Sequence, residues 1–238
     1  GGGGLFFEGS YSTLTDNDIH QNSASSGGGG IKIRNGNLDI VGNCITGNTA
    51  LAGGGLHTYA EHGFENIIAD NIVTHNTAMT SGGGLLVASG THTITGNTFD
   101  ANSAEKGGGV LVDGYGRKTI GSNVISGNQA SNGGGLYVFR TIVELVDNKF
   151  WENMADTTGG AAWISAGSEL KDDWDRPLTA PHSRNEFVNN SPNDIYYQPQ
   201  VVLSALWSLC LSSAYEGLFC ILLESPIGQQ PDHAFTKF

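Results

Sequence analysis

Short runs of alternating apolar and polar residues, each bounded by glycine or asparagine, follow one another along most of the chain. Three such runs, Val110–Asp113, Lys118–Ile120 and Asn123–Ser126, occur within about 20 residues. No helical period of 3.6 is present, and the runs are of strand length. The pattern predicts short β-strands joined by tight turns, with three strands in each turn of the chain.

The same pattern recurs with a period of about 26 residues, which is typical of solenoid repeats. Each repeat carries the motif N-x-[I/V/F]-x-x-N, and in the first six an alanine and then a glycine cluster follow. The seven motifs are Asn17–Asn22, Asn43–Asn48, Asn71–Asn76, Asn97–Asn102, Asn123–Asn128, Asn148–Asn153 and Asn185–Asn190. The clusters after them are Gly27–Gly30, Gly53–Gly55, Gly82–Gly84, Gly107–Gly109, Gly133–Gly135 and Gly159–Gly160.

Four columns of apolar residues appear when the repeats are aligned, and we expect them to face inward and stack coil upon coil. Two columns follow the glycines: Leu5, Ile31, Leu56, Leu85, Val110, Leu136, Ala162 and Phe7, Ile33, Thr58, Val87, Val112, Val138, Ile164. Two belong to the motif region: Leu14, Ile40, Ile68, Ile94, Ile120, Leu145 and Ile19, Ile45, Val73, Phe99, Ile125, Phe150, Phe187. The prediction is an all-β solenoid of about seven coils over residues 1–199, followed by an apolar tail, residues 200–238, that caps it or packs on it.

The repeated asparagines and glycines are expected to be structural. Asparagine tolerates the left-handed conformation of a tight corner, and its amide can form ladders between coils. Glycine suits the other corner, where a positive φ or close backbone approach excludes a Cβ. This interpretation removes both residue types from the candidate ligand-binding groups.

Composition narrows the function classes. The chain has 23 acidic against 11 basic residues and a net charge of −12, without a basic cluster, which makes nucleic-acid binding unfavourable and suits an extracellular or cell-surface protein. The cysteines Cys44, Cys210 and Cys220 show neither zinc-site spacing nor a disulfide framework. The chain begins inside a repeat, with GGGGLFF at the phase of GGGGIKI, so we expect a mature chain or a piece of a longer one.

The motif pairs resemble the repeats of the chlamydial polymorphic outer-membrane proteins and related right-handed parallel β-helix surface proteins. The pair is an F-x-x-N motif followed by G-G-x-[I/L/V]. The matching motifs are Phe99-x-x-Asn102, Phe150-x-x-Asn153, Phe187-x-x-Asn190 and their Ile and Val variants, and Gly159-Gly160-Ala161 is the form nearest the family's G-G-A. The likeness covers residues 1 to about 197. It implies a right-handed parallel β-helix that is secreted or surface-displayed, with an adhesive or structural role.

Right-handed β-helices also include polysaccharide lyases and hydrolases, whose sites need convergent carboxylates or Ca²⁺ ligands. No two carboxylates share a column in adjacent coils, so we expect neither an enzyme nor a cofactor. The candidate Ca²⁺ ligands are Asp172, Asp173 and Asp175, in the insert that lengthens the last repeat. An ordinary solvated loop is the alternative, since the glycine and spacing of an EF-hand are missing. Asn189 is the glycosylation candidate, in the N-x-S sequence of residues 189–191.

An apolar column is predicted on the outside of the solenoid. Between the first two inward columns lie Phe6, Lys32, His57, Leu86, Leu111, Tyr137 and Trp163, with Phe139 in the neighbouring outward column. A solvated sheet face should be polar, so an apolar face of this length indicates that something packs on it. The candidates are the nearly uncharged segment 201–223, folded back, or another subunit. The same segment is long enough to span a bilayer, although Glu216 and its serines weaken that reading.

These observations predict a non-enzymatic extracellular structural or adhesive protein. Its partners would be further copies of itself or neighbouring surface proteins and glycans, and head-to-tail association of open solenoid ends would make a fibre. The alternative is a polysaccharide-active enzyme or glycan-binding module that uses the 167–184 loop.

Overall fold

The computed structural model describes residues 1–61, 63–171 and 184–198. These residues contain β-strands and turns but no helix. Residues 1–198 make one compact unit. The predicted tail, residues 200–238, and the three aspartates proposed as Ca²⁺ ligands lie outside the described residues.

Each full coil contains four short strands, and equivalent strands of successive coils pair in parallel into four sheets. Sheets A, B, C and D collect the first, second, third and fourth strands of the coils. Coil 1 contains β1 (Leu5–Glu8), β2 (Tyr11–Thr15), β3 (Asp18–His20) and β4 (Ser23–Gly27). Coil 2 contains β5 (Ile31–Arg34), β6 (Asn37–Val41), β7 (Cys44–Thr46) and β8 (Thr49–Ala52). Coil 3 contains β9 (Leu56–Tyr59), β10 (Glu65–Ala69), β11 (Ile72–Thr74) and β12 (Thr77–Ser81).

The second half of the solenoid repeats this order. Coil 4 contains β13 (Leu85–Ala88), β14 (Thr91–Thr95), β15 (Thr98–Asp100) and β16 (Ser103–Lys106). Coil 5 contains β17 (Val110–Asp113), β18 (Lys118–Gly121), β19 (Val124–Ser126) and β20 (Gln129–Asn132). Coil 6 contains β21 (Leu136–Phe139), β22 (Ile142–Val146), β23 (Lys149–Trp151) and β24 (Met154–Thr158). An incomplete seventh coil contains β25 (Ala162–Ile164), β26 (Glu169–Lys171) and β27 (Glu186–Val188), and β28 (Ile195–Tyr197) extends sheet A.

The solenoid prediction is confirmed, including its register. The aligned columns are paired in the sheets: Leu85 pairs with Val110, Ile94 with Ile120, and Phe99 with Ile125. The predicted inward residues of coils 2–6 are buried in one continuous core. A single coil has almost no interior of its own, so burial arises only when coils stack.

The prediction of three strands per turn is wrong, because each full coil has a fourth strand in sheet D. These strands are short and rich in serine, threonine and alanine, and one alanine per strand, such as Ala78 or Ala130, supplies the inward side chain. One small buried residue gives little alternation, so the strand pattern is weak in the sequence. The alanine that follows each of the first six motifs marks this sheet.

Two asparagine ladders run through the described coils, as predicted. In each ladder the backbone N–H and Nδ2 of one asparagine donate to Oδ1 of the equivalent asparagine in the next coil. At Asn71 and Asn97 both distances are 2.9 Å. The ladders contain Asn17, Asn43, Asn71, Asn97, Asn123, Asn148, Asn185 and Asn22, Asn48, Asn76, Asn102, Asn128, Asn153, Asn190.

The expected left-handed conformation falls on a different residue. The residue before a ladder asparagine has the positive φ, as at Asp70 (54°), Gly96 (67°) and Ala101 (52°), whereas the ladder asparagines do not. Each ladder asparagine must keep its own N–H and Oδ1 directed along the stack, so the preceding residue makes the corner. The corner therefore accepts aspartate, serine, glutamine or alanine as well as glycine.

Candidate functional site

The predicted outward column forms a second apolar cluster, separate from the core. Leu86, Leu111, Tyr137 and Trp163 stack on the outer side of sheet A and are only 6–9% exposed. We call these four residues the stripe. Each of them lies in the middle of a sheet A strand, between two residues whose side chains face inward. Because side chains alternate along a strand, the stripe residues face outward.

Aromatic stacking continues the stripe toward the end of sheet A. The rings of Tyr137 and Trp163 lie 4.3 Å apart at an angle of 6°, and Tyr196 lies 6.2 Å beyond Trp163. Phe139 packs beside Tyr137 at 6.5 Å. Sequence reasoning missed Tyr196, because the long last repeat hides its register. The Ile195–Tyr197 run was the available signal.

The glycine corner contacts the stripe. Gly107, the first glycine of its cluster, has a φ of +62°, and a Cβ there would lie 3.0 Å from the Leu111 Cβ. Gly82 has the same relation to Leu86, at 2.9 Å. The stripe thus lies against a corner without side chains, between sheets D and A. The prediction that segment 201–223 covers the stripe lies outside the described residues.

In coils 2 and 3 the same column carries the charged residue Lys32 and the polar residue His57. His57 stands between Lys32 and Leu86, and its Nδ1 is buried without a hydrogen-bond partner. Burial, together with the positive charge of Lys32, lowers the pKa of His57 to about 4. The imidazole is therefore neutral at physiological pH.

The interior of coils 3–5 contains a polar cluster that sequence reasoning missed. In sheet B, Asn66, His92 and Lys118 occupy an inward column that is Leu38, Val143 and Leu170 elsewhere. Nε2 of His92 lies 2.5 Å from Oγ1 of Thr58 and 3.4 Å from Nδ2 of Asn66. The column lies two residues before the Ile94 column, where alternation makes it inward, and that spacing was the signal.

His92 and Lys118 are both buried, yet their polar atoms are satisfied differently. Nζ of Lys118 donates to the carbonyl oxygens of Gly114, Tyr115 and Gly116 at 2.6, 2.7 and 3.2 Å. Burial lowers the pKa of Lys118 to about 8, although Asp113 opposes the shift. Burial lowers the pKa of His92 to about 4, and the backbone of Gly90 partly opposes this shift. Nδ1 of His92 is buried without a hydrogen-bond partner.

The remaining predicted residues are placed as follows. Asn189 is exposed, at a left-handed corner. Glu8 and Arg34, which are in register on coils 1 and 2, form a surface ion pair at 3.2 Å. Within the ranges 1–61, 63–171 and 184–198, no group of three or more His, Cys, Asp or Glu side chains could hold a metal ion. No helix in those ranges is long and apolar enough to cross a membrane.

The stacked coils, parallel sheets and continuous core define a right-handed parallel β-helix. The sequence model of the right-handed beta helix region family matches residues 1–123, and the chain belongs to that family. Neither the curated proteins nor the solved structures contain a match to this chain. The family match supports the fold class.

Proposed function

We propose that this protein is a non-enzymatic structural or adhesive component of an extracellular surface. The proposal rests on the repeated asparagines, whose side chains are used for hydrogen bonds between coils. The two asparagine ladders bond coil to coil and are buried from Asn43 and Asn48 onward through coil 6. Their amides stiffen the solenoid and are not available to a substrate. The resemblance to chlamydial surface repeats supports display outside the cell, and Asn189 is an exposed glycosylation candidate for that setting.

Association of coil ends is the form of assembly that the ladders support. They have a direction, because donors of one coil always point to Oδ1 of the next. In the described part of the chain, no donor reaches Oδ1 of Asn17 or Asn22, and the core residues Leu5, Phe7 and Leu14 of coil 1 are only partly buried. A coil stacked on this end, whether from the same chain or from another copy, would supply donors and cover these apolar groups. Sedimentation of the native protein should show self-association that increases with concentration.

Localisation and substrate assays together test the proposal. Antibody labelling and protease shaving of intact cells should detect the protein at the surface, and a panel of polyuronates and neutral polysaccharides should remain uncleaved. Labelling that appears only after lysis would contradict surface display. Release of unsaturated or reducing ends, abolished when Asp172, Asp173 and Asp175 are all changed to Asn, would establish the polysaccharide-active alternative instead.

A further inference from the structure

A cavity lies on the edge where sheet A turns into sheet B. The turn of coil 4 is only two residues, Ser89 and Gly90, whereas the connections of coils 3 and 5 are longer. The longer connections stand on either side of the short one and leave a space of about 360 Å³. Its lining residues are Tyr59, Ala60, Glu61, Ser89, Gly90 and Tyr115. Differences in loop length along one edge of a solenoid are a common way to build a binding site.

Neighbouring coils already hold guanidinium groups on this edge. Arg140 lies 4.5 Å above the ring of Phe139, and its guanidinium bonds both carboxylate oxygens of Asp113 at 3.1 Å. At the other end, Arg34 pairs with Glu8 at 3.2 Å. Carboxylates at this edge therefore bind guanidinium groups, and in one case an aromatic ring lies under the guanidinium.

Glu61 is the carboxylate of the cavity, and within the described ranges no cation pairs with it. Asn35 holds it in place: Nδ2 of Asn35 donates to Oε1 of Glu61 at 3.2 Å, and the Glu61 backbone N–H donates to Oδ1 of Asn35 at 3.1 Å. These bonds use one carboxylate oxygen and leave Oε2 without a described donor. Glu61 is therefore oriented while its charge remains uncompensated.

The space beside Glu61 suits a flat cation. In the column at the ends of the sheet A strands, Ala88 stands between Tyr59 and Asp113, so its methyl group leaves room where the neighbours are large. Tyr59 and Tyr115 line the cavity, with exposures of 38% and 78%. A planar guanidinium can stack on a tyrosine ring and bond a carboxylate through two N–H groups, which an ammonium cannot do.

Lys118 is the nearest buried cation, and it supports the cavity rather than competing for Glu61. Its Nζ donates to three carbonyl oxygens of the loop that carries Tyr115. All three ammonium protons are used, and Asp113 offsets part of the charge. Lys118 thereby holds the backbone of the loop from which the Tyr115 side chain extends.

We propose that this cavity binds the guanidinium of an arginine side chain presented by a partner protein or peptide. Tyr59 and Tyr115 stack on it and Glu61 accepts its N–H bonds. The inference is independent of the proposed surface role, since that role rests on the asparagine ladders and the exposed end of coil 1, which are not part of the cavity. A failure of one would leave the other standing.

NMR titration of the ¹⁵N-labelled protein with acetyl-arginine amide tests the proposal, with acetyl-citrulline amide as the neutral isostere. Saturable shifts are expected at the amides of Ser89 and Gly90, with citrulline binding at least about 5-fold more weakly. Glu61→Gln and Tyr115→Ala should each weaken arginine binding by about 3- to 10-fold.

Matched surface variants separate the cavity from general charge effects. Glu105→Gln removes an exposed carboxylate on sheet D, and Tyr11→Ala removes an exposed ring on coil 1, so both should leave arginine binding unchanged. Equal binding of citrulline, or absence of saturable shifts at Ser89 and Gly90, overturns the proposal. Shifts with a neutral oligosaccharide but not with arginine would also overturn it and would assign the cavity to glycans.

Discussion

The side-chain amide of Asn97 donates to Oδ1 of Asn123 at 3.0 Å, and the Asn97 backbone N–H donates to the same oxygen at 2.9 Å. Nδ2 of Asn97 also donates to the Ile68 carbonyl oxygen of the preceding coil at 2.8 Å. One buried side chain therefore joins three coils. This arrangement explains why an asparagine, and not another turn-forming residue, recurs at this position.

Replacing a central rung of a ladder should destabilise the protein strongly. Asn97→Ala leaves the buried backbone N–H of Asn71 without its acceptor. It also removes the hydrogen bonds that the Asn97 amide donates to Ile68 and Asn123, and together these losses should cost about 2–4 kcal/mol in the free energy of unfolding. Urea denaturation followed by circular dichroism measures the change. Asn17→Ala is the matched control at the ladder end, where Oδ1 receives no described bond, and it should cost less than half as much. Equal losses at the two positions would contradict the ladder argument.

Glycines of this chain should differ sharply in their tolerance of alanine. A Cβ on Gly107, where φ is +62°, would lie 2.5 Å from the Val110 carbonyl oxygen. We expect Gly107→Ala to cost about 2–4 kcal/mol, from backbone strain and the displaced stripe. A Cβ on Gly121 has its nearest neighbour at 3.7 Å, and that residue has no positive φ. Gly121→Ala should thus change the free energy of unfolding by no more than about 0.5 kcal/mol, or stabilise the protein slightly. Thermal unfolding of the Gly107→Ala and Gly121→Ala variants measures the difference.

Aromatic residues on and off the stripe should also behave differently. Trp163 is 9% exposed and stacked on Tyr137, whereas Trp151 is 43% exposed on sheet C. Trp163→Ala should cost about 3–5 kcal/mol, and Trp151→Ala about 1 kcal/mol or less. Chemical denaturation of both variants gives the comparison. A similar small loss at the two positions would show that the stripe does not stabilise the fold.

Acid should destabilise the protein through His57, whose folded-state pKa of about 4 lies below its usual value of 6.5. Between these values the unfolded chain binds more protons than the folded one, so the free energy of unfolding falls as pH drops from 6.5 to 4. His57→Leu would extend the stripe, remove the buried Nδ1 and reduce this pH dependence by up to one proton. His20→Leu, which makes the same substitution at an exposed position of sheet C, is the matched control. Denaturation midpoints across pH 4–7 are the measurement.

Lys118 predicts a pH dependence of the same sign in the alkaline range. Its pKa is about 8 when folded and 10.5 in the open chain, so the unfolded state holds the extra proton between these values. The free energy of unfolding should therefore rise with pH from 8 to 10.5, by at most about 3 kcal/mol for this group. Lys118→Met removes this rise and leaves the carbonyl oxygens of residues 114–116 unpaired at all pH values. An unchanged pH profile in Lys118→Met would contradict the buried ammonium.

Much of the fold is predictable because a solenoid repeats its local rules. Leu85, Val110 and Leu136 occupy one column in the sequence and one column in space, since each coil contacts only its neighbours. The outward stripe was predictable for the same reason. Sheet D was not, because one alanine per strand carries too little hydrophobic contrast. The left-handed corners were assigned one residue late, because the hydrogen bonds that occupy the asparagines come from adjacent coils.

By itself, the sequence determined the repeat, its register and the residues that stack, because those follow from alternation and period within a single coil. Only the tertiary structure decided which contacts form between coils and across corners. It showed that the stripe packs against the glycine corner and that His92 and Lys118 lie inside the solenoid. It also showed that Glu61 lines a cavity between loops of unequal length. Such contacts join residues about 26 or more positions apart, and their distances depend on how each coil turns rather than on the pattern within it.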